Sequence, residues 1–323
     1  MKIGVVGAGA VGAATALSLI ERGGTCREIV LIDRIAGRAA GVAADLRYAA
    51  PLSPVVDVRA GAYRDLTDAA LVAITAGVNE KSGGATDRSD PQGRLRLLDT
   101  NARVYADIVP QIVAVAPRAV LLVVTDPPDP LADLTRYLAG HDRVFSTGTL
   151  IDSLRFRVHL ADRLRVRPSD VQAMVVGEHG TSEVLLWSSA TVGGIRVLDL
   201  LGAEGRPLDA VRAEIEQSIR YANITIIEGT GASQYGIGAV SARLIEAVLR
   251  DERAVLPVAA YHPGFDVTLS LVSVLGAEGV VRMHPPRATP EEHAALERSV
   301  STLRAAKNRA LHIVDEQSTP DAG

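Results

Sequence analysis

The sequence predicts an α/β protein with a doubly wound parallel sheet in its N-terminal half and an α+β second half. In the first half, short apolar runs alternate with segments of helical length, which is typical of a parallel sheet covered by helices on both faces. The runs at 29–32 and 119–124 are apolar throughout, as expected of strands buried on both faces. A length of 323 residues suggests two domains, and a boundary predicted near residue 147 divides the chain into 1–147 and 148–323.

The predicted elements follow in chain order. Strands in the first half are expected at 2–6, 29–32, 55–59, 71–75, 119–125 and 143–147, with helices at 10–22, 36–49, 94–115 and 130–139. The second half is predicted to have helices at 150–165, 207–228, 236–250 and from about 290. Its strands are expected near 172–176, 184–191, 195–198, 254–260, 267–275 and 279–283.

Composition excludes several classes of function. The net charge of -4 and the 3% aromatic content provide no basic surface or stacking platform for a nucleic acid. The single cysteine, Cys26, excludes an internal disulfide framework and a multi-cysteine zinc site, so no metal centre is expected. The apolar stretch between Ile3 and Ile20 divides into a strand and a helix, so no membrane segment is expected. The sequence therefore predicts a cytoplasmic protein without a nucleic-acid or membrane partner.

A glycine motif lies between the first strand and the first helix. In Gly7-x-Gly9-x-x-Gly12, the first glycine permits a tight turn, the second lets the backbone approach a pyrophosphate, and the third lets the helix pack closely on the strand. Asp33 follows the second strand, where a carboxylate accepts hydrogen bonds from the ribose hydroxyls of adenosine. These residues predict a Rossmann-type dinucleotide site that prefers NAD to NADP, although the neighbouring Arg34 leaves room for NADP.

Five polar residues are candidates for the chemical step that accompanies dinucleotide binding. None of the few lysines has a tyrosine four residues before it, which excludes a Tyr-x-x-x-Lys pair. His179 lies between glycines in Gly-Glu-His-Gly, which suggests a tight turn that exposes the imidazole. Asp152 and Arg155 are spaced i,i+3 near the start of a predicted helix and so project from one face. Arg94 opens a predicted helix after a Gly-rich loop, and Asp126 follows a strand at the carboxyl edge of the sheet, where ligands bind in open α/β folds.

Five motifs occur in a specific order along the chain. They are Gly7-Ala-Gly-Ala-Val-Gly12, Ile74-Thr-Ala-Gly77, Arg94-Leu-Arg-Leu-Leu98 with Asn101, Gly148-Thr-Leu-Ile-Asp-Ser-Leu-Arg155 and Gly177-Glu-His-Gly180. Together they resemble the L-lactate/malate dehydrogenase family, from the first residue to about residue 305. The resemblance implies an N-terminal Rossmann domain, a C-terminal α+β catalytic domain, NAD as cofactor, a small 2-hydroxy acid as substrate, and a homodimer or homotetramer.

The resemblance also implies a mechanism. His179 would give a proton when a 2-keto acid is reduced and accept one in the reverse direction, a role for which histidine is the commonest side chain. Asp152 would fix the imidazole tautomer, and Arg155 would bind the substrate carboxylate through two parallel hydrogen bonds. Arg94 would polarise the keto oxygen as negative charge develops there.

Further residues are implied to line the cofactor and substrate sites. Cofactor contacts are assigned to Gly7, Gly9, Ala10, Val11, Gly12, Asp33, Thr75, Ala76, Gly77, Asn101, Val124 and Thr125. Ser233 falls where the family has a small hydroxyl residue in the substrate pocket, and a helix-capping serine is the alternative. Asp126 and Glu80 are assigned to the substrate side of the same pocket.

The segment 78–93 departs from the family in length. Its 16 residues are about twice the usual number, and their composition suits a mobile lid that excludes water when it closes. If its first residues align without a gap, Glu80 takes the position where malate dehydrogenases have an arginine, and a glutamate there would repel the second carboxylate of oxaloacetate. Alternatively, the insertion brings Arg88 to that position. The sequence leaves both alternatives open.

Two single positions also differ from the family. Asp126 stands where an asparagine is usual, and an ionised aspartate cannot donate a hydrogen bond to substrate or cofactor. It could instead be protonated in a dry site, or meet a cationic or hydroxyl-rich substrate. Thr181 replaces the aspartate that usually follows Gly-Glu-His-Gly, which alters packing near His179. Glu80, Asp126 and the long lid together predict a 2-hydroxy acid that is not malate and not necessarily lactate.

The leading prediction is an NAD-dependent L-2-hydroxy-acid dehydrogenase of the lactate dehydrogenase type. Malate dehydrogenase is the alternative enzyme. An NADH-binding pseudoenzyme with a sensor or scaffold role is the alternative outside catalysis, and the set of His179, Asp152, Arg155 and Arg94 argues against it.

Overall fold

The N-terminal half forms the predicted parallel sheet. The computed structural model describes residues 1–52, 56–90, 93–203, 205 and 207–318. Within these residues the strands of the first half are β1 (Lys2–Val6), β2 (Glu28–Ile32), β3 (Asp57–Ala60), β4 (Leu71–Ile74), β5 (Val120–Val123) and β6 (Val144–Ser146). They pair in parallel in the order β3-β2-β1-β4-β5-β6, so the direction of chain progression reverses between β1 and β4. Residue 55, where the third strand is predicted to begin, lies outside the described residues.

The helices of this half lie on both faces of the sheet. They are α1 (Ala10–Arg22), α2 (Ala36–Ala49), α3 (Leu98–Val115) and α4 (Pro128–Ala139). Along β4, Leu71 and Ala73 belong to the core shared with α1 and α2. The alternate residues Val72 and Ile74 belong to the core shared with α3 and α4. Successive side chains of β4 therefore point to opposite faces of the sheet. The strand is apolar throughout because both faces are buried.

The start of the third helix differs from the prediction. Residues Gly93–Leu97 form a 3-10 helix, and α3 begins only at Leu98. Arg94 therefore lies in the tighter turn that precedes α3 and does not open an α-helix.

The second half is mixed, as predicted. Its α-helices among the described residues are α5 (Leu150–Leu164), α6 (Val197–Gly202), α7 (Leu208–Arg220), α8 (Ala222–Thr230), α9 (Tyr235–Leu249) and α10 (Pro290–Ser318). Its strands there are β7 (Val171–Gln172), β8 (Val175–Val176), β9 (Val184–Leu185), β10 (Thr191–Val192), β11 (Ile195–Arg196), β12 (Ala254–Leu256), β13 (Ala259–His262), β14 (Val267–Ser270), β15 (Val272–Gly276) and β16 (Gly279–His284).

Several predicted elements of this half are divided in the structure. The helix predicted at 207–228 is two helices, because Tyr221 leaves the helical conformation with φ -106° and ψ 10°. The strand predicted at 172–176 is also two, because β7 pairs with β10 whereas β8 pairs with β9. The runs at 254–260 and 267–275 each divide between the main sheet and a small antiparallel sheet. Residues 197–198, predicted as strand, begin α6 instead.

The main sheet continues across the predicted domain boundary. β13 pairs antiparallel with both β6 and β14, and Ala259 lies opposite Ser146. The sheet therefore has eight strands within the described residues, two of them from the second half. The division near residue 147 stays a prediction. Within the described part of the chain, no helix combines the length and apolar character needed to cross a membrane.

Candidate active site

The glycine motif after β1 borders a cavity at the N-terminus of α1. Gly7 has φ +108°, a conformation that favours glycine, and its N–H donates to the carbonyl of Ile32 at 2.7 Å. A Cβ atom on Gly12 would lie 2.0 Å from the carbonyl oxygen of Gly7, so only glycine permits this approach. A Cβ atom on Gly9 would meet none of the described residues within 4 Å, and Gly9 lines the cavity, which leaves space for a ligand against the backbone.

The N-terminus of α1 fits an anionic group. Gly9 is the N-cap and provides no side-chain cap, and the first turn, which is fully described, contains no acidic residue. The N–H groups of the first turn have no partner within their own helix and form the positive end of its dipole. Ala10 is exposed there, and Val11 lines the neighbouring catalytic cavity. These features fit the pyrophosphate of a dinucleotide.

Asp33 lies at the ribose end of the same cavity. The cavity has a volume of about 660 Å³ and extends from the glycine motif and Asp33 to residues 75–78. The Asp33 carboxylate accepts hydrogen bonds from the N–H groups of Ala8, at 3.0 Å, and Ile35, at 2.8 Å. Arg38 Nη1 lies 3.6 Å from its Oδ2. The carboxylate is therefore anchored beside the glycine motif, as the sequence predicts for an adenosine site.

The cofactor cavity meets a second cavity at the end of β4. Thr75 and Gly77 line both, and Ala76 lines the cofactor side. Val124 and Thr125, which follow β5, line the second cavity together with the catalytic candidates. The carboxyl ends of adjacent parallel strands thus bring the predicted nicotinamide residues next to the predicted catalytic residues.

Asn101, predicted as a cofactor contact, is a buried side chain between the lid and the end of β5. It is 0% exposed and is not among the described residues that line either cavity. Its Oδ1 accepts the N–H of Val78 and its Nδ2 donates to the carbonyl of Asp126, both at 2.7 Å. The buried amide therefore holds the start of the lid against the residue that follows β5, and it acts as a positioning residue for the site.

The catalytic candidates converge on one histidine. His179 Nδ1 lies 2.5 Å from Asp152 Oδ2, and its Nε2 contacts Arg94 Nη1. Arg155 Nη1 donates to the other oxygen of Asp152 at 2.9 Å. The pair is buried, with His179 8% exposed and Asp152 1% exposed. The second cavity is lined by His179, Arg94 and Arg155. The four side chains predicted from the sequence are therefore in contact with one another.

The turn that carries His179 is fixed by buried hydrogen bonds. The N–H of His179 donates to Asp129 Oδ2 at 2.8 Å, and Ser146 Oγ donates to Asp129 Oδ1 at 2.7 Å. Gly177, with φ +85°, forms two backbone hydrogen bonds with Ser270 of β14, at 2.9 and 3.0 Å. The main sheet therefore positions His179 through β6, α4 and β14, although the residue lies far from these elements in sequence.

The charges of the site are strongly coupled. Burial alone would raise the pKa of Asp152, but the charge and hydrogen bond of His179 and the charges of Arg155 and Arg94 hold it well below its usual range. Burial would likewise lower the pKa of Arg94, but the carboxylates of Asp126 and Asp152 raise it. Asp152 is thus an anion under the imidazole, and Arg94 is a cation beside the ring nitrogen that faces the cavity.

Glu80 and Asp126 form the substrate side of the cavity. Both line it, and Asp126 Oδ1 lies 3.7 Å from Arg94 Nη1 and 3.7 Å from His179 Nε2. Burial and the neighbouring Asp126 carboxyl raise the pKa of Glu80 to about 7, although Arg94 opposes this shift. Among the described residues, no group of three or more His, Cys, Asp or Glu side chains is arranged to bind a metal ion.

Arg88 lies elsewhere. Its guanidinium donates to both carboxylate oxygens of Glu228 on α8, at 2.6 and 2.8 Å, and to Thr225 Oγ1 at 3.2 Å. In the structure the insertion therefore brings Glu80, and not Arg88, to the cavity. Positions 91 and 92 of the lid lie outside the described residues.

Ser233 lines the catalytic cavity, and α9 begins after Gln234 without a side-chain cap, so the helix-capping alternative for Ser233 is wrong.

Polar residues that the sequence does not predict also line the catalytic cavity, namely Asn79, Thr147 and Asn223, and the buried Glu183 interacts with the charges of the site. Asn223 on α8 lines the catalytic cavity, but an isolated asparagine in a helix carries no sequence signal for this. Glu183 is buried, and burial together with Asp152 raises its pKa well above the usual value, while Arg220 and Arg94 oppose the shift. Its position four residues after His179, in the same turn region, is the signal that could have found it.

Comparison with known families agrees with this geometry. The model of the lactate/malate dehydrogenase NAD binding domain matches residues 1–145. The model of the lactate/malate dehydrogenase alpha/beta C-terminal domain matches residues 149–314. Together the two models cover both halves of the chain, so the family resemblance of the sequence motifs is confirmed.

Individual relatives match over almost their whole length. An L-lactate dehydrogenase of Deinococcus radiodurans is 45% identical over 310 residues, which cover 96% of this chain and 99% of that protein. An L-lactate dehydrogenase of Thermus aquaticus is 45% identical over 313 residues, or 95% and 98% of the two chains. The crystal structure of the minor L-lactate dehydrogenase from Enterococcus mundtii superposes with a TM-score of 0.87 at 35% identity, covering 95% of this chain and 98% of that one. The chain therefore belongs to the lactate/malate dehydrogenase family and is an NAD-dependent 2-hydroxy-acid dehydrogenase.

Proposed function

We propose that the enzyme interconverts a 2-keto monocarboxylic acid and its L-2-hydroxy acid with NAD(H), as its relatives named L-lactate dehydrogenase do with lactate. One observation carries the proposal. The His179–Asp152 pair, Arg94 and Arg155 meet at a cavity that adjoins the cofactor cavity through Thr75 and Gly77. A keto carbon placed at this junction is within reach of both a hydride source and a proton source.

The residues divide the reaction between them. The bound cofactor supplies or accepts the hydride at carbon 2. His179 Nε2 gives its proton to the keto oxygen, and the Asp152 anion stabilises the imidazolium from which that proton comes. Arg94 beside Nε2 stabilises the negative charge that develops on the oxygen. Arg155, oriented by Asp152, binds the substrate carboxylate. In the reverse direction His179 accepts the hydroxyl proton.

The residues on the substrate side of the catalytic cavity disfavour malate and oxaloacetate. A dicarboxylic acid requires a cation for its second carboxylate, but the cavity presents Glu80 and Asp126 there. Arg88, the alternative cation, is engaged by Glu228 on α8. The pseudoenzyme alternative is disfavoured because a binding protein has no need of a buried Asp–His pair beside two arginines.

We also propose that the enzyme is a cytoplasmic homodimer or homotetramer. Apolar side chains remain exposed at Tyr48 and Leu52, at the end of α2 and after it, and at Leu154 and Val158 on α5. Such exposure is costly on an isolated subunit and is expected where a second copy covers it. Cys26 is a buried free thiol, which suits a reducing compartment. Sedimentation as a monomer at micromolar concentration would contradict the oligomer.

A panel of keto acids tests the catalytic proposal. Pyruvate, 2-ketobutyrate, longer monocarboxylic keto acids and oxaloacetate are each assayed with NADH and with NADPH. We expect turnover of monocarboxylic acids with NADH, and a loss of about 10²–10⁴-fold in kcat for His179→Asn, the range typical of general acid–base groups. Oxaloacetate turnover far above all monocarboxylic acids, or full activity of His179→Asn, would show the proposal to be wrong.

A further inference from the structure

Two carboxyl groups of the catalytic cavity take no part in the proton transfer described above. Glu80 lies in the lid after β4, and Asp126 follows β5. Both line the same cavity as Arg94 and His179. Asp126 Oδ1 is 3.7 Å from a nitrogen of each of these two residues, which places it next to the reacting centre. A substrate held by Arg94 and His179 therefore lies in the same small cavity as the pair.

Glu80 and Asp126 repel each other when both are ionised. Two carboxylates beside each other in a buried site are costly to ionise together. Burial and the neighbouring Asp126 carboxyl accordingly raise the pKa of Glu80 to about 7. Both residues line the cavity, where their carboxyl oxygens are hydrogen-bond acceptors. Arg94, 3.7 Å from Asp126, offsets negative charge on the pair.

The rest of the wall supports a short polar substituent. Asn79, Asn223 and Ser233 also line the cavity, and the cavity itself has a volume of only about 100 Å³. A methyl group against this wall leaves carboxyl acceptors without partners in a desolvated site, which is unfavourable. A second carboxylate would meet like charge. A hydroxyl group donates to the acceptors and adds no charge.

We infer that the Glu80–Asp126 pair selects 2-keto acids that carry a hydroxyl group on carbon 3 over their unsubstituted analogues. The inference rests on the proposed function and names the substrate class of the same site. The reaction is the one already described: a hydride adds to carbon 2, His179 protonates the keto oxygen, and the product is a 2,3-dihydroxy acid. The hydroxyl on carbon 3 is a recognition element and is not changed.

An isosteric pair of substrates tests the inference. 3-Hydroxypyruvate and 2-oxobutyrate have the same shape and differ by a hydroxyl in place of a methyl group. Sites built to bind a substrate hydroxyl reject the analogue that lacks it by up to about 10⁴–10⁵-fold. We expect kcat/KM of the unmodified enzyme with NADH to favour 3-hydroxypyruvate by at least about 10-fold.

Two variants assign the preference to the pair. Glu80→Gln and Asp126→Asn replace an acceptor by an amide that also donates, so each should lower the substrate ratio toward one and raise the kcat/KM for 2-oxobutyrate. Arg88→Gln alters the same lid outside the cavity and should leave the ratio unchanged. NADH binding and thermal unfolding show whether each variant is folded.

The outcomes separate this inference from the proposed function. A ratio at or below one in the unmodified enzyme, with His179-dependent turnover of both substrates, overturns the inference alone. A high ratio that neither Glu80→Gln nor Asp126→Asn lowers also overturns it, because another group must then bind the hydroxyl. Absence of turnover with every 2-keto acid overturns the proposed function. Since the first measurement uses the unmodified enzyme, an unfolded variant does not remove the test.

Discussion

The imidazole Nδ1 of His179 and the carboxylate Oδ2 of Asp152 lie 2.5 Å apart, at the junction between a turn after β8 and the first turn of α5. The pair is buried, since His179 is 8% exposed and Asp152 is 1% exposed. Its low pKa keeps it ionised throughout the working range. The contact therefore fixes one tautomer, with the hydrogen on Nδ1, and leaves Nε2 facing the substrate cavity.

Asp152→Asn tests this relationship. An asparagine keeps the shape but removes the charge, and it can donate to Nδ1 and so favour the wrong tautomer. Loss of the equivalent carboxylate in another Asp–His pair costs about 10⁴-fold, so we expect kcat to fall by about 10²–10⁴-fold with little change in NADH binding. Asp162→Asn, an exposed position on the same helix, is the control. Steady-state kinetics with less than a tenfold loss would show that the anion is not needed.

A second prediction concerns the support beneath His179. Burial raises the pKa of Asp129 to about 7, whereas an unfolded aspartate titrates near 3.8. The folded chain holds this proton and the unfolded chain releases it, so the stability it contributes is complete below about pH 4 and is lost as the pH rises to about 7. The loss is on the order of a few kcal/mol.

Asp129→Asn removes this titration but keeps an oxygen for the N–H of His179 and places an amide beside Ser146 Oγ. Between pH 5 and pH 8, the unfolding free energy of the unmodified enzyme should therefore fall relative to that of the variant. Thermal or denaturant unfolding at a series of pH values measures this. Parallel stability curves would mean that Asp129 does not hold a proton in the folded state.

How well the sequence predicts a structural feature depends on how far apart in the chain the residues that determine it lie. α1 and α2 have the predicted bounds, since local apolar periodicity and flanking glycines or turns determine them. Local signatures also indicate the catalytic candidates His179 and Asp152, which the structure brings into contact. The cofactor contact predicted for Asn101 stays a prediction, and its observed hydrogen bonds carry no local signal, because its partners Val78 and Asp126 lie 23 and 25 residues away.

Long-range contacts also decided the questions that the sequence left open. Whether Glu80 or Arg88 lines the catalytic cavity depends on the position of α8. This helix carries Glu228, which binds Arg88 and lies 140 residues beyond it. The interruption at Tyr221 that separates α7 from α8 has no counterpart in the apolar pattern of 207–228. Short strands such as β7 and β8 are defined by which neighbour they pair with, and a continuous apolar run does not contain that information.

A third prediction separates the roles of two glycines. Gly12→Ala places a Cβ 2.0 Å from the Gly7 carbonyl, so it should destabilise the fold by about 1–3 kcal/mol and weaken NADH binding as well. The Cβ of Gly9→Ala meets no atom of the described residues within 4 Å, and the backbone conformation there is open to alanine, with φ -79°. It should leave the melting temperature unchanged and still weaken NADH binding at least about tenfold, since the Cβ occupies space needed by the pyrophosphate.

Gly37→Ala is the matched control for both, because it is an exposed helical glycine with open space around it. Thermal unfolding and NADH fluorescence titration give the two readouts. Unchanged NADH affinity in Gly9→Ala would place the pyrophosphate away from the N-terminus of α1.

A fourth prediction concerns cofactor choice. Asp33→Ser removes the carboxylate that would repel a 2′-phosphate and leaves Arg34 and Arg38 beside it, both of which line the cavity. The ratio of kcat/KM for NADPH to that for NADH should rise by about 10–10²-fold, which corresponds to about 1.4–2.7 kcal/mol. Asp33→Ser combined with Arg38→Gln should lose most of that gain. An unchanged ratio in the single variant would show that Asp33 does not select against NADP.

The last prediction concerns the lid and α8. Arg88 binds both oxygens of Glu228, but the two side chains are 44% and 55% exposed, so the pair contributes no more than about 1 kcal/mol. Arg88→Gln should therefore raise KM for keto acids by about two- to fivefold, because the lid rests less firmly on α8, with the ratio of oxaloacetate to pyruvate turnover unchanged. Glu228→Gln should have the same effect, and the double variant should be no worse than either single one, as expected when both substitutions break one contact. Additive effects would rule out a shared contact. A selective loss of oxaloacetate turnover in Arg88→Gln would instead mean that Arg88 reaches the substrate, contrary to its position against α8.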